Sequence, residues 1–368
     1  MTMWEPTRAA GLARVEAFAS QMGRAYSANR NIDLGPDRNV HVSGLSPWIR
    51  RRLVTEEEAV RAAIAAHGAR GADKFIQEVL WRTYWKGWLE MRPGVWEAYL
   101  AERDAAREAV GANSGLSRAL AEAEEGRTGI EGFDDWAREL VETGWLHNHA
   151  RMWFASIWIF TLKLPWALGA DFFLRQLMDG DPASNTLSWR WVAGLQTQGK
   201  TYLATAENIA RFTEGRFRPR GLATVAEALD PGPAVPVRAL PAARRETPDG
   251  PHLLLVTGED LTPEAEVGPW EIAGVVLWPE PQGGRRGAAA ARFGEGALAD
   301  AGQRAGVRYR QTVRPLESVT GQTLVEAALA VGARGIVTPY VPVGPTASAL
   351  EAARPVVDAA GLALVMVR

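Results

Sequence analysis

Cysteine is absent from the 368 residues. Its absence excludes disulfides, cysteine-ligated iron–sulfur or zinc sites, and thiol catalysis. Any redox role must then rest on a bound organic cofactor or on aromatic side chains. Histidine is scarce, with five residues and no HExxH or comparable pair, so no metal site is expected. An excess of charge of either sign is also missing. The formal charge is −2, so no overall field draws the chain to nucleic acid. Such binding would fall to a local patch, with Arg50, Arg51 and Arg52 or the run "RFTEGRFRPR" (211–220) as candidates. Long apolar runs are lacking too. The greasiest span, "MWFASIWIFTLKLPWALGA" (152–170), is interrupted by Lys163 and Pro165; it is too short to cross a bilayer and reads as a buried core helix. No membrane partner is expected. The first residues form no apolar signal segment, which gives a cytoplasmic expectation.

Tryptophan is abundant, with 15 residues, and 12 of them lie between positions 48 and 191. This points to an aromatic-rich interior in one part of the chain. Residues 1–220 read as mostly helical. "TEEEAVRAAIAAHGA" (55–69) opens with a threonine cap and acids in its first turn. "DKFIQEVLWRTYWKGWLEM" (73–91) is a second helix. Its Phe75, Val79, Leu80 and Trp88 form a stripe for burial, and Glu78, Trp81, Arg82 and Trp85 lie on a neighbouring face. "FDDWARELVETGW" (133–145) and "ADFFLRQLMDG" (170–180) are further helices, the last ending at a glycine.

Residues 221–249 are proline-rich without a sustained period and read as a linker. From 250 to 368 the pattern changes. "HLLLVTG" (252–258), "IAGVVLW" (272–278), "VRYRQ" (307–311), "GIVTPY" (335–340) and "LALVMVR" (362–368) read as strands, with helix-like segments between the later ones. Strands alternating with short helices imply a parallel sheet with helices on its faces, able to fold independently of the helical half. The expected architecture is therefore two domains, all-helical and then a small parallel-sheet α/β unit of Rossmann-like type. "TGED" (257–260) stands where a ligand loop often lies in such sheets, although it is not a glycine-rich phosphate motif.

Three segments of the helical half, in order, carry a resemblance. They are "FIQEVLWRTYW" (75–85), "TGWLHNHARMWFAS" (143–156) and "DGDPASNTLSWRW" (179–191). Together they resemble the flavin-binding domain of the photolyase and cryptochrome family, over roughly residues 20–215, and are most like the photolyases of cyclobutane pyrimidine dimers. In the C-terminal half, "LLLVTGEDLTPE", "IAGVVLWPEP" and the closing segment resemble that family's N-terminal α/β antenna domain. The two domains would then have exchanged order along the chain. The first strand lacks the arginine-rich loop usual in the antenna domain, which argues against an antenna chromophore.

The resemblance implies FAD, active in its reduced form, as cofactor. Asn185 would face flavin N5, where an amide adds no charge against a reduced anionic ring. Asp181 would accept from the ring's N3–H. Arg151 and Asp179 would form a buried ion pair beside it. Tyr26, Ser43, Leu45 and Ser46 match positions that hold the phosphates and nearby groups, with backbone N–H groups at the following helix start as further donors. In "HVSGLSPW" (41–48) the family's first hydroxyl is replaced by Val42 and its arginine by Gly44. Arg82 is a candidate for the pocket wall.

Trp189 and Trp166 match the first two members of the family's electron-carrying tryptophan chain. Where the third is expected the chain has Asn113, with Trp153, Trp158 and Trp136 as substitutes. Trp81 and Trp191 match the indoles that pack against a flipped-out pyrimidine dimer. Glu78, Asn148 and Met152 match the groups that grip it; Glu78 and Asn148 also fall within the cofactor-contact set. Family members acting on the (6-4) photoproduct carry a histidine where this chain has Asn148, although His147 and His149 flank it. Beyond "WRWVAG" the chain departs from the family pattern, and Lys200, Arg211, Arg216, Arg218 and Arg220 supply the positive charge there. With 28 Lys+Arg against 27 Asp+Glu in residues 1–220, damaged DNA would be held weakly and through local contacts. The implied function is light-dependent repair of cyclobutane pyrimidine dimers. The alternatives are a blue-light flavin photoreceptor signalling to a protein partner through the C-terminal domain, and a flavin-storing protein with neither role.

Overall fold

The computed structural model describes residues 4–36, 38–240, 249–267, 270–279, 286–318 and 320–367. Residues 241–248 of the proline-rich stretch, Glu280 and Pro281 after the second strand, and Arg368 lie outside these.

Helices form in the first part of the chain where caps and apolar spacing coincide. They are α1 (Arg8–Phe18), α2 (Arg24–Asn29), α3 (Ser46–Arg50), α4 (Glu56–Gly71), α5 (Asp73–Glu90), α6 (Gly94–Gly111), α7 (Ser114–Glu124), α8 (Phe133–Thr143), α9 (Asn148–Ser156), α10 (Trp166–Gln176), α11 (Pro182–Val192) and α12 (Ala206–Phe212). Thr55 and Glu58 satisfy each other's backbone N–H groups at the start of α4, ahead of three glutamates in its positive first turn. Asp181 caps α11 through the Ser184 N–H, and Pro182 fills the first helical position, where a missing N–H costs nothing.

Three expected helices differ in detail. The span 152–170 is broken: α9 runs into a π-helical turn (Ile157–Thr161) and stops, and α10 begins at Trp166. Pro165 lacks the N–H that a continuous helix needs. Helix α10 ends at Gln176 with an extended residue after it, four residues before Gly180. On α5, Phe75 and Val79 are buried but Leu80 is exposed, because the stripe that packs is narrower than the apolar content suggested.

The helical core gathers Trp136, Trp153, Trp158, Phe154, Phe172 and Trp189 at almost complete burial. Residues 221–240 form no helix or strand. They lie along this core through Leu222, Leu229 and Val235, pinned by Leu229 N–H to Ala193 O and Arg238 N–H to Met91 O.

The second part alternates as expected: β1 (His252–Thr257), a short α13 (Pro263–Glu266), β2 (Ile272–Trp278), α14 (Ala288–Tyr309), β3 (Val313–Pro315), α15 (Gly321–Ala330), β4 (Gly335–Pro339), α16 (Pro345–Ala359) and β5 (Ala363–Val367). The strands form one parallel sheet in the order β3-β2-β1-β4-β5. "VRYRQ" is not a strand. Residues 307–309 complete α14, which Arg310 stops in the left-handed conformation, and the third strand lies at 313–315. Alternating β-branched and aromatic residues at that helix end imitate a strand, while burial of Ala297, Ala301 and Ala305 keeps the helical period.

One face of the sheet packs under α15 and α16. The other carries α14, and there the core is shared with the helical half. Val15, Phe18, Trp48 and Met178 belong to one apolar cluster with Leu254, Val256, Phe293 and Ala297. A sheet able to fold independently was expected; this face is instead closed by the helical half.

Candidate active site

Three helices and one loop enclose a single cavity of about 530 Å3, a volume typical of small-molecule sites. Helix α5 contributes Glu78, Trp81, Arg82 and Trp85; α9 contributes Asn148, Arg151, Met152 and Ala155; α11 contributes Asn185, Ser188, Trp189 and Trp191. Spacings of three, four and seven put residues on one helix face, so each set points inward together. Tyr26, Arg30 and the loop 42–46 before α3 close the fourth side. Tyr26, Ser43, Leu45, Ser46, Glu78, Trp81, Arg82, Asn148, Arg151, Met152, Asp179, Asn185, Trp189 and Trp191 all line this cavity. Trp166 and Asp181 do not.

The polar floor is built around the turn 179–181. Arg151 donates through one Nη to both oxygens of Asp179 at 3.0 and 3.1 Å, and its Nε is held by Leu146 O. Burial alone would raise Asp179; Arg151, Arg82 and Ser46 outweigh it and hold the carboxyl below its ordinary value. Asp181 sits beneath the cavity with Oδ1 on the Ser184 N–H. Its Oδ2 lies 3.5 Å from Lys86, 3.6 Å from Arg50 and 3.7 Å from Arg82. Burial opposes its charge, and Lys86, Arg50 and Arg82 together reverse that and hold it well below the usual carboxylate range. Asn185 donates through Nδ2 to Ala170 O at 2.8 Å, which fixes the amide and leaves its oxygen as the acceptor.

The mouth is aromatic. Trp81 and Trp191 are 46% and 36% exposed, so neither indole is sealed in the core. Trp81 stacks on Trp85 with centroids 5.8 Å apart, and Trp191 stacks on Tyr202 at 5.7 Å. Glu78 lies between two cations, Lys74 at 2.9 Å and Arg30 at 3.3 Å. His147 and His149, which flank Asn148, both turn away from the cavity. His147 Nδ1 accepts the His149 N–H, and burial pushes the His147 imidazole down to about 4. His149 contacts Asn31 O and stacks on Trp153 at 4.1 Å.

Behind the cavity, Trp189 rests on Gly169 of α10. A Cβ there would lie 2.3 Å from its ring, so only glycine admits this approach. Trp189 touches Trp158 at 6.1 Å and Phe173 at 5.1 Å. Trp166 is buried, donates to Glu102 at 2.6 Å and contacts Tyr99 at 5.7 Å. Tyr99 in turn contacts Trp96 at 5.2 Å. Asn113 caps α7. Trp136 and Trp153 stack on each other at 5.3 Å. Of the three substitute tryptophans, Trp158 is therefore the one in ring contact with Trp189.

The arginines at 50–52 do not form a surface patch. Arg50 and Arg51 are buried, Arg50 is bound to Glu259, and Arg52 pairs with Glu56 and Asp260. Adjacent charges in the sequence suggested a nucleic-acid contact, but Arg50 and Arg52 are met by Glu259 and Asp260, more than 200 positions away. Arg216 is likewise committed, to the buried Asp33 at 2.8 Å. Sequence reasoning also missed Arg14, whose Nε donates to Ser43 O at 2.5 Å behind Gly44. Gly44 has φ +62°, and a Cβ there would meet the Arg14 guanidinium at 2.5 Å. The Val42 and Gly44 departures thus coincide with a guanidinium arriving from α1, a pairing that no local motif announces.

The residues present suit a large planar cofactor with hydrogen-bonding edges. Arg82 Nη1, Asp181 Oδ2 and Ser184 Oγ are buried with no hydrogen-bond partner among the described residues, all beside the floor. Groups of this kind need a partner to offset their burial.

Residues 75–217 match the family model described as the FAD binding domain of DNA photolyase. The deoxyribodipyrimidine photo-lyase of a Synechococcus strain is 31% identical over 235 residues, covering 56% of this chain and 45% of that protein. That of Streptomyces griseus is 35% identical over 156 residues, covering 42% and 32%, and a Thermus thermophilus photo-lyase is 32% identical over 206, covering 54% and 45%. The chain thus spans less than half the length of these curated relatives. Among solved structures, a bacterial class III photolyase from Agrobacterium tumefaciens aligns with a TM-score of 0.48 and 24% identity, over 57% of this chain and 43% of that one. A cryptochrome from Synechocystis aligns with a TM-score of 0.43 and 21% identity, over 56% and 43%.

Proposed function

We infer, from a helical half that carries a photolyase-type FAD-binding domain, that the protein repairs cyclobutane pyrimidine dimers in DNA under blue light. The single observation that carries this reading is the composition of one cavity. The floor groups Arg151, Asp179 and Asn185 and the mouth groups Trp81, Trp191, Glu78, Asn148 and Met152 all open into the same space. When bound in its reduced form, FAD would supply the electron that opens the dimer and would take it back afterwards.

The chain's own residues would bind, orient and exclude water. Asn185, fixed by Ala170 O, offers an uncharged acceptor at the reactive edge. Asp181, kept ionised by its three cations, suits an N–H donor of the ring, and Arg151 with Asp179 favours negative charge near it. Flat indole walls replace stacking lost when damaged bases leave the duplex. Arg30 and Lys74 hold the Glu78 carboxylate where it can accept from an imide N–H. Asn148 in the cavity, with both neighbouring histidines turned out of it, supports dimer repair over (6-4) repair. Trp189 with Trp158, and Trp166 with Tyr99, are the aromatic contacts available for reducing the bound flavin. We read residues 1–220 as the FAD-binding domain, 221–249 as the linker and 250–368 as the sheet domain.

A photoreceptor is the second reading, favoured by the near balance of charge in residues 1–220. One experiment separates the two. Purified protein with reduced flavin is illuminated with an oligonucleotide carrying a defined cyclobutane dimer, and recovery of thymine absorbance is followed beside a (6-4) control. Dimer repair lost in Trp191→Ala or Glu78→Ala, with flavin retained, is the expected result. Photoreduction and DNA binding without any repair would move the assignment to the receptor.

A further inference from the structure

A parallel sheet ordered β3-β2-β1-β4-β5 reverses its direction of growth between β1 and β4. In open α/β sheets the crevice at the C-terminal ends of two such strands is where a ligand sits. Here that crevice is bordered by residues 257–260 after β1 and 340–346 after β4, and a side chain of the helical half fills it. Arg50 of α3 enters with Nη1 2.7 Å and Nη2 2.9 Å from the two oxygens of Glu259. The pair is 3% and 5% exposed.

The third nitrogen of Arg50 points the other way. Its Nε donates to Gly180 O at 2.9 Å, and the guanidinium lies 3.6 Å from Asp181. Gly180 joins Asp179, on the cavity floor, to Asp181, the cap of α11. The crevice border touches two further site helices. Tyr340 Oη and the Val343 N–H, at 2.5 Å, both donate to Glu90 at the end of α5. Gly344 packs so closely on Pro182 of α11 that a Cβ would lie 2.8 Å from it.

We propose that the ligand edge of the sheet acts as a seat for the flavin cavity, with Glu259 as a positioning residue that sets the turn 179–181 through Arg50. The inference rests on reading that cavity as a flavin site. The physical chain is short. A buried guanidinium requires an anionic partner. Without Glu259, the two Nη groups of Arg50 would have Asp181 as the carboxylate within reach, and that acid would be drawn from the Ser184 N–H it caps. The start of α11 and Asn185, one turn inside it, would shift with it.

The test uses the full chain, with Glu259→Gln as the neutral isostere, Glu259→Asp as the charge-keeping rescue and Glu90→Gln as a milder cut at the same edge. Asp300→Asn is the control; it removes the negative charge that pairs with Arg304 and weakens the acceptor of the Arg8 N–H between α1 and α14, away from the cavity. Hydrogen exchange of amides 179–185 is measured without FAD, then FAD affinity and flavin midpoint potential. Glu259→Gln should speed exchange in 179–185 above the rest of the chain and weaken FAD by about tenfold or more, the scale for a buried charge losing a partner. It should also raise the potential, because one negative charge is lost while Arg50 stays. Glu259→Asp should recover most of these changes. Glu90→Gln should move exchange and affinity the same way by less, and it keeps the test open if Glu259→Gln fails to fold. Asp300→Asn should lower thermal stability alone. Unchanged exchange and affinity in Glu259→Gln, or equal changes in Asp300→Asn, would overturn the proposal. A wild-type protein that binds no FAD would overturn the flavin reading, while the exchange comparison would still decide the seat.

Discussion

The molecule has two places where folds of its kinds hold ligands, and they have opposite fates. The cavity among α5, α9 and α11 is open, about 530 Å3, with two indoles partly in solvent at its mouth. The crevice between β1 and β4 holds the Arg50–Glu259 pair, with Thr346 Oγ1 3.5 Å from the same carboxylate. Each place is lined with charge, and charge alone does not distinguish them. Beside the open cavity, buried polar atoms have no hydrogen-bond partner among the described residues, whereas in the filled crevice each oxygen of Glu259 is met by a donor from the chain. A site is left for a ligand where the protein has not already satisfied itself.

Emptying the filled crevice should have the largest effect. Arg50→Ala leaves Glu259 buried without its partner and should cost about 3–5 kcal/mol in denaturant unfolding. Replacing both, Arg50→Met with Glu259→Leu, should recover much of that stability, because the desolvation cost disappears with the charges. A double variant as unstable as the single one would mean that the pair's orientation, beyond its neutrality, holds the fold.

Acid should act next, through the wall behind the open cavity. Burial lowers His147 to about 4, against an ordinary value of 6.5. The unfolded chain therefore binds this proton near pH 6.5, and the folded chain binds it only near pH 4. Stability should be complete above pH 6.5 and fall as the pH drops towards 4, by on the order of 3 kcal/mol at 1.36 kcal/mol per unit. His149, also lowered by burial, adds in the same direction. A denaturation midpoint that stays flat across that window would refute the assignment.

At the cavity mouth the effect should fall on substrate alone. Trp191→Ala should weaken binding of dimer-containing DNA by roughly 1–3 kcal/mol, the worth of one base–aromatic stack, while flavin content stays constant. Loss of flavin in that variant would show that the indole belongs to the cofactor wall. The smallest effect belongs to a pair with no ligand role. Glu57 and Arg61 on α4 are 69% and 76% exposed, and Arg61→Ala should change stability by less than about 0.5 kcal/mol. A larger change would undo the contrast between buried and exposed pairs on which the first prediction rests.

Much of the cavity could be read from the resemblance that three local segments carry. The three segments 75–85, 143–156 and 179–191 are each one helix face or one capped turn, so their order and spacing carry their geometry. Trp81 and Trp85 reach the cavity from α5 because four residues make about one turn. Trp189 and Trp191, two apart, divide between core and mouth for the same reason. Leu80 was misjudged because apolar character does not say how wide a buried stripe will be. "VRYRQ" was misjudged because three residues at a helix end carry strand-like side chains. The break at Pro165 was visible, but the resulting pair of helices was not separated.

By itself the sequence determined most of the helices, four of the five strands and the parallel sheet, since these follow from caps, periods and turn residues a few positions apart, while the residues expected to share one cavity came from the resemblance that three segments carry. Tertiary structure alone decided that Arg50 is a buried partner of Glu259, 209 positions away, that Arg14 backs Gly44, and that the sheet shares its core with the helices. Those pairings depend on how distant surfaces meet, and the energy that selects them, desolvation set against charge, is defined only once both sides are buried together.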